Sequence, residues 1–445
     1  MMPAAFAPFV KDTPLCVMTR LALERLIEPK RLDQLFGKTA QRQYQKELLF
    51  SDVVELMMSV VLRVDDNVNS AYKKRQEKLG VSDQAVYDKL KATELGLSAA
   101  LVADSAAQVA PVIDALGARL PAWLPGYRVR VIDGNLLGHS ERRIKELRQT
   151  WCVGLPGRSL AVYDQELDLV TTVFLTPDGH ASERSLFDAV LETVQANELW
   201  IADRNFCTFK FLFGIAARQA KFVIRHHASL TLTLVGQRQY RGRNQTGRVY
   251  EQDVKLEWEG RKQRGRRVTI VLDKPTRDGE TEIHILTNLS RKHARAKRVA
   301  ELYRKRWTIE GRFYEITQTL QCEPNTLGYP KAALFAFCLA LVASNAMALI
   351  RASLRAVHGE DEVAEMSRHY VAAEIRGTYR GMMVALPPRR WWRRMQRSAR
   401  AASSRPAIRT APPPSSPKPA LPARTATAAS VWMRRGRGRT RRARR

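Results

Sequence analysis

Acidic residues run out well before the chain does. Residues 389–445 hold no Asp or Glu against 18 Lys and Arg, and Ala, Pro and Ser fill most of the rest. Such a stretch cannot bury an apolar core, and it reads as disordered. Cysteine is scarce as well. Cys16, Cys152, Cys207, Cys322 and Cys338 are an odd number with no CxxC pair. This argues against a disulfide framework and a zinc site, and it suits a reducing compartment. The histidines, among them His139, His180 and the pair His226 and His227, show no metal-ligand spacing and read as core or surface polar groups. No basic segment followed by an apolar one marks a secretory leader at the N-terminus. A phosphate-cradling glycine loop ending in Lys is missing too, so a free nucleoside triphosphate is not the expected substrate.

What remains is ample for folded domains. The 445 residues, 45% of them apolar, have room for two or three domains with sizeable cores. Lys and Arg exceed Asp and Glu by 30, and the isoelectric point is near 10.4. Without 389–445 the balance is still 56 basic to 44 acidic residues. The basic excess therefore belongs to the body of the chain and points to a polyanionic partner, nucleic acid first. The longest apolar run, 332–350, approaches the length of a membrane span. Ser344 and Asn345 interrupt it, which favours a buried core helix.

Taken in order, 1–118 reads as a helical domain that binds DNA, with helices at 19–27, 51–62, 70–79, 83–92 and 99–116. Ser82 and Asp83 open a capped helix whose basic side fits either a helix-turn-helix reader or an ordinary bundle. PAWLPG at 121–126 reads as a linker. Strands are expected at 128–133, 159–164 and 169–175, the last two forming a hairpin, then at 199–202 and 221–225, with helices at 183–196 and 206–219. The order β-β-β-α-β-α-β followed by a helix is that of an RNase H-like α/β (α+β) core, a mixed sheet with three antiparallel strands and a parallel edge. Residues 229–290 alternate as a β-rich insertion. The core is thus 127–228 plus 291–358, followed by a helical extension at 359–388 and the basic tail.

The stretch 301–320 reads as one amphipathic helix starting near 292. Leu302, Ile309, Phe313, Ile316 and Leu320 form its apolar face. Tyr303, Arg306, Glu310 and Thr317 fall within an arc of about 60° beside that face. An Arg and Glu at i, i+4 usually only solvate a helix. Here they accompany two acids at strand ends, Asp133 and Asp203, that this topology brings to the same edge of the sheet. Three carboxylates at one point repel each other unless they hold divalent cations. Two Mg²⁺ ions are what in-line phosphoryl transfer uses, and Asp133, Asp203 and Glu310 are the candidate ligands and catalytic residues.

These residues reach a family. VIDGN (131–135), IADRNF (201–206) and Tyr303-x2-Arg306-x3-Glu310 together resemble transposases of the IS4 family. ERRIKEL (141–147), DGHASERSL (178–186) and NTLGYPKAALF (325–335) look like one subgroup of it. The resemblance covers roughly 20–385. It implies a DDE site using Mg²⁺, with Mn²⁺ able to substitute, and double-stranded DNA as partner, both as element ends and as target. A homodimer in the synaptic complex, a bacterial cytoplasmic location at the nucleoid, and no membrane partner follow likewise. Tyr303 and Arg306 would contact phosphates near the cut. The family's lysine falls at Thr317, which brings a hydroxyl and no charge. Family members commonly pass through a DNA hairpin and stack a flipped base on the insertion. Trp258 or Tyr250 is available for that, although either also fits a β core. The tail fits a basic DNA-binding arm or a shifted reading frame. A catalytically decayed, DNA-binding remnant is the alternative to an active enzyme, and a nuclease without strand transfer is a third reading.

Overall fold

The computed structural model describes residues 7–136, 157–179, 181–314 and 329–365. Thr317, most of the 359–388 extension and the whole basic tail lie outside the described residues. Helices fill the first 115 residues because apolar side chains recur there at three- and four-residue spacing between short breaks. They are α1 (Ala7–Asp12), α2 (Pro14–Leu26), α3 (Pro29–Thr39), α4 (Phe50–Val61), α5 (Val68–Lys73), α6 (Gln76–Leu79), α7 (Asp83–Ala92) and α8 (Leu95–Ala115). Asn67 caps α5 in a reciprocal box with Ser70, and Ser82 caps α7 as its sequence indicated. Helix α3 was not expected. Its sequence is polar overall and buries only Leu32 and Phe36, an apolar pair too sparse to show as a stripe.

The rest is built on strands β1 (Arg128–Leu136), β2 (Arg158–Asp164), β3 (Leu169–Thr176), β4 (Glu198–Ala202), β5 (Lys221–Arg225), β6 (Thr233–Arg243), β7 (Gly247–Trp258), β8 (Arg261–Leu272) and β9 (Glu282–Thr287). Among the described residues they form one mixed sheet in the order β3-β2-β1-β4-β5-β9-β8-β7-β6. Strands β1, β4 and β5 run parallel, and the other pairs are antiparallel. The expected hairpin is β2–β3. Helices α9 (Phe187–Thr193) and α10 (Phe209–Ala217) are shorter than expected because each is entered through a 3₁₀ turn or loop.

Strand alternation divides the core in two. One face buries Val129, Val131, Leu199, Ile201 and Val223 in a cluster shared with α8 and the N-terminal helices. The other buries Ile132, Trp200, Phe222 and Ile224 with Phe187, Phe206 and Phe211. The chain from Met2 to Met395 is one compact unit, and the linker-like 121–126 separates no cores.

Three sequence expectations are corrected here. Strand β5 is not an edge, because β9 pairs with it and joins the 229–290 strands to the same sheet. Strand β1 does not stop at Asp133, because Gly134 and Asn135 continue the ladder opposite Leu160 and Ser159. The helix expected over 301–320 is two within the described residues, α11 (Ala296–Arg304) and α12 (Trp307–Tyr314). Between them Arg306 N–H donates to Tyr303 and Thr308 N–H to Lys305, a tightened turn of three-residue bonds.

Helix α13 (Pro330–His358) is long and apolar enough to cross a membrane, yet 94% of its most apolar window is buried within the protein. It packs against α2, α4, α7, α8 and β3. Asn345, the polar break in its sequence, is buried. Its side-chain amide donates to Val170 O and Ser105 Oγ, both at 2.9 Å, and its Oδ1 accepts from Val170 N at 3.0 Å. The residue closes the β-bulge that β3 makes against β2 and pins α13 to the sheet. Asn345→Leu would leave the buried Val170 N–H and C=O unpaired. Urea unfolding should show a loss of about 2–4 kcal/mol; a loss near zero would mean that the pin carries no stability. The short helix α14 (Glu360–Glu365) closes the described chain.

Candidate active site

Strand register places the first two acids. Strands β1 and β4 are parallel, with Val131 opposite Ile201. Two residues further along each strand come Asp133 and Asp203. The period of two puts both on the face covered by α11 and α12. The β1–β4 pairing has ended by then, which leaves room beside Asp133. Asp203 is the residue after β4 and caps the 3₁₀ turn Arg204–Phe206 by accepting from Asn205 N at 2.8 Å.

Arg306 supplies the link to the helices. Its tightened turn directs the guanidinium to β1, where Nη1 donates to Asp133 Oδ2 at 2.7 Å. Its Nη2 lies 2.7 Å from Glu310 Oε1 on α12. The i, i+4 pair is therefore not a solvated surface pair. Arg306 is 7% exposed and its Nε has no hydrogen-bond partner among the described residues. Tyr303, also buried, stands next to it on α11. Burial raises the Tyr303 hydroxyl's pKa, Arg306 and Arg225 oppose this, and Asp203 adds to it.

The acids feel one another. Burial pushes Asp133 up to about 7; Arg306 counters this, while Asp203 and Glu310 push it higher. A fourth carboxylate was missed by sequence reasoning. Glu183, in the turn before α9, lies over Gly134, where an added Cβ would come within 2.2 Å of its Oε1. Burial, then the charge of Asp203, raises its pKa, while Arg158 and a hydrogen bond from Asn205 lower it. Its only sequence signal was membership of the DGHASERSL run. Glycine at 134 makes the approach possible, since any side chain there would collide with the carboxylate.

The structure thus places Arg306 in direct contact with Asp133 and Glu310, sets Asp203 close enough to act on Asp133 and Tyr303 on Arg306, and brings Glu183 close enough to feel Asp203. Among the described residues, no three Asp, Glu, His or Cys groups are close enough together to hold one ion. Arg306 fills the space between Asp133 and Glu310 instead. Of the two aromatics considered for base stacking, Trp258 packs against Phe213 at 5.7 Å beside the core. Tyr250 is half-buried between Tyr240 and Arg238 on the strands β6 and β7.

Fold and site together define a mixed α/β protein with acids gathered where the pairing of two adjacent parallel strands ends. Residues 124–346, half of the chain, match the family described as "Transposase DDE domain", and the chain belongs to that family. No curated protein matches it. Among solved structures it is similar to a piggyBac transposase synaptic complex with hairpin DNA determined by cryo-electron microscopy. The TM-score is 0.37 at 9% identity, over 85% of this chain and 84% of that one.

A proton test follows from Asp133. Its native pKa lies above the ordinary 3.8, so the folded protein holds this proton more tightly than the unfolded chain. The stability it contributes is complete below the ordinary value and is lost as pH rises through about 7, at on the order of 1.4 kcal/mol per pH unit. Melting curves in EDTA should therefore fall more steeply from pH 5 to pH 8 for the wild type than for Asp133→Asn. Parallel curves would show that Asp133 titrates as an ordinary surface acid.

Proposed function

We propose that this protein is a DNA transposase of the IS4 kind acting by cut-and-paste, with an RNase H-like core. The observation that supports it best is the convergence of Asp133, Asp203 and Glu310 at one sheet edge in a chain of the DDE transposase family. In this reading the three acids are catalytic and hold Mg²⁺, or Mn²⁺ in its place. Their hard oxygens suit such ions, and the burial and neighbouring acids that raise Asp133 disfavour a charge that a cation would stabilise. Bound there, the ions supply the positive charge that activates the attacking oxygen and stabilises the leaving one.

The protein's own groups divide the remaining work. Arg306 carries the charge that now faces Asp133 and Glu310, and beside them it would hold a DNA phosphate near the cut. Tyr303, packed against it, would orient the same phosphate, and Thr317 would offer a hydroxyl further along. The helical residues 1–115 and the basic strands of 229–290 would bind the terminal inverted repeats. Two copies would pair the element ends before the freed 3′-hydroxyl attacks target DNA. The setting would be the bacterial cytoplasm, at the nucleoid. A second reading, a DNA-binding remnant without catalysis, draws on Thr317, on the tail, and on the absence of an assembled ion site among the described residues.

The deciding experiment is cleavage of DNA carrying the element's own ends, with Mg²⁺, by the full chain and by a chain ending at residue 388. Asp133→Asn, Asp203→Asn and Glu310→Gln should each lose cleavage on the order of 10²–10³-fold or more and still shift the same DNA in a gel. Cleavage retained by one of the three removes that residue from the catalytic set. End binding without cleavage by either wild-type-site chain establishes the remnant.

A further inference from the structure

Two backbone N–H groups set the direction of the first two acids. Gly134 N–H donates to Asp133 Oδ1 at 2.9 Å, and Asn205 N–H donates to Asp203 Oδ1 at 2.8 Å. Each bond fixes one oxygen of its carboxylate. In Asp133 the second oxygen is then free to meet Arg306. The last paired residues of β1 and β4 are Val131 and Ile201, so the ladder ends before either acid and does not fix the two N–H groups against each other.

One side chain reaches both. The Glu183 carboxylate rests on Gly134, where an added Cβ would lie 2.2 Å from Oε1 and 2.7 Å from Cδ. The same carboxylate accepts a hydrogen bond from the Asn205 side chain. The next residue holds Asn205 a second time, because Arg184 Nε donates to Asn205 O at 3.3 Å. Ser182 Oγ caps this turn by accepting from Arg184 N at 3.3 Å. Successive residues of a strand face opposite ways, so Glu183 lies across β1 from the Asp133 side chain. From there it supports the backbone behind the acids and does not compete with them for an ion. Arg158 on β2 faces it with the opposite charge, which lets it sit near Asp203.

We propose that Glu183 is a positioning residue that braces Gly134 and Asn205 and, through their N–H groups, aims the Asp133 and Asp203 carboxylates at a shared divalent cation. The cation rests on the transposase reading, whereas the brace rests on these contacts alone. Groups that orient ligating carboxylates from behind typically govern metal affinity by about 10–100-fold.

The test titrates the full chain with Mn²⁺, without DNA, and reads free Mn²⁺ by electron paramagnetic resonance. Glu183→Ala should weaken binding about 10-fold. Glu183→Gln keeps an oxygen for Asn205 and a planar group of the same size over Gly134, so it should rescue binding to within about 3-fold of the wild type. Gly134→Ala keeps every carboxylate but pushes Glu183 aside, and it should match Glu183→Ala. In EDTA, NMR should show the Asn205 backbone amide exchanging about 3–10-fold faster in Glu183→Ala than in the wild type, and restored in Glu183→Gln. A loss in Glu183→Gln as large as that in Glu183→Ala makes the charge the active feature and overturns the brace. Unchanged Mn²⁺ affinity in Glu183→Ala overturns it as well. Asn205→Ala removes the same side-chain bond from its exposed end and takes the place of any variant that does not fold. If the wild type binds no Mn²⁺, the amide decides: equal exchange in the wild type, Glu183→Ala and Glu183→Gln overturns the proposal. Mg²⁺-dependent cleavage, measured alongside, separates the two claims. Cleavage and Mn²⁺ affinity both intact in Glu183→Ala overturn the brace alone, whereas the expected Mn²⁺ pattern without cleavage by the wild type upholds the brace and overturns the catalysis.

Discussion

Like charges gathered at one sheet edge set the terms for this protein. Burial raises the pKa of Asp133 and of Glu183, and the charges of Asp203 and Glu310 push Asp133 higher, as that of Asp203 does Glu183. Two unit charges 4 Å apart repel by about 4 kcal/mol at an effective dielectric of 20. Such a cluster persists only if a cation shares it or protons neutralise it. In this structure both occur: Arg306 bridges two of the acids, and Asp133 holds its proton to near neutrality. A guanidinium is fixed in charge and plane and cannot match several carboxylates at once, so Arg306 leaves its own Nε unmet. The unmet Nε–H calls for an acceptor, while the proton that Asp133 keeps marks where further positive charge would be accommodated.

Precision at that edge depends on the sheet being continuous. The parallel register of β1 and β4 fixes Asp133 against Asp203. The third acid comes from helices that enter from the far side of the insertion, and a single buried residue ties that entry down. Arg266 on β8 donates to Leu289 O at 2.8 Å and Ala294 O at 3.0 Å, while its Nη1 binds Glu251 on β7 at 2.6 Å. The loop leading into α11 is thus bonded to the middle of the insertion strands. Because β9 pairs with β5, those strands are one lattice with the sheet that carries Asp133. The insertion therefore helps to position Tyr303, Arg306 and Glu310.

Local patterns in the sequence carried much of this, and long-range pairing carried the rest. Asp133 and Asp203 were visible because each follows a β-branched or apolar run, and Arg306 and Glu310 because they share a helical side. The break between α11 and α12 was hidden. Leu302, Ile309 and Phe313 keep helical spacing through a turn tightened by three-residue bonds, and periodicity does not register that change. Gly134 and Asn135 look like turn residues, yet a neighbouring strand is present to pair them, and sheet context overrides their propensity. Glu183 was invisible as a site group because nothing local shows that its turn folds back over Gly134.

Beyond its burial, the Tyr303 hydroxyl feels Arg306 and Arg225 and, with the opposite sign, Asp203. A polyanion brought directly to the acids would be repelled. Arg306 already pairs with two of these carboxylates, Asp133 and Glu310. The cost of crowding the acids is thus offset in part by the Arg306 guanidinium and in part by the proton that Asp133 keeps.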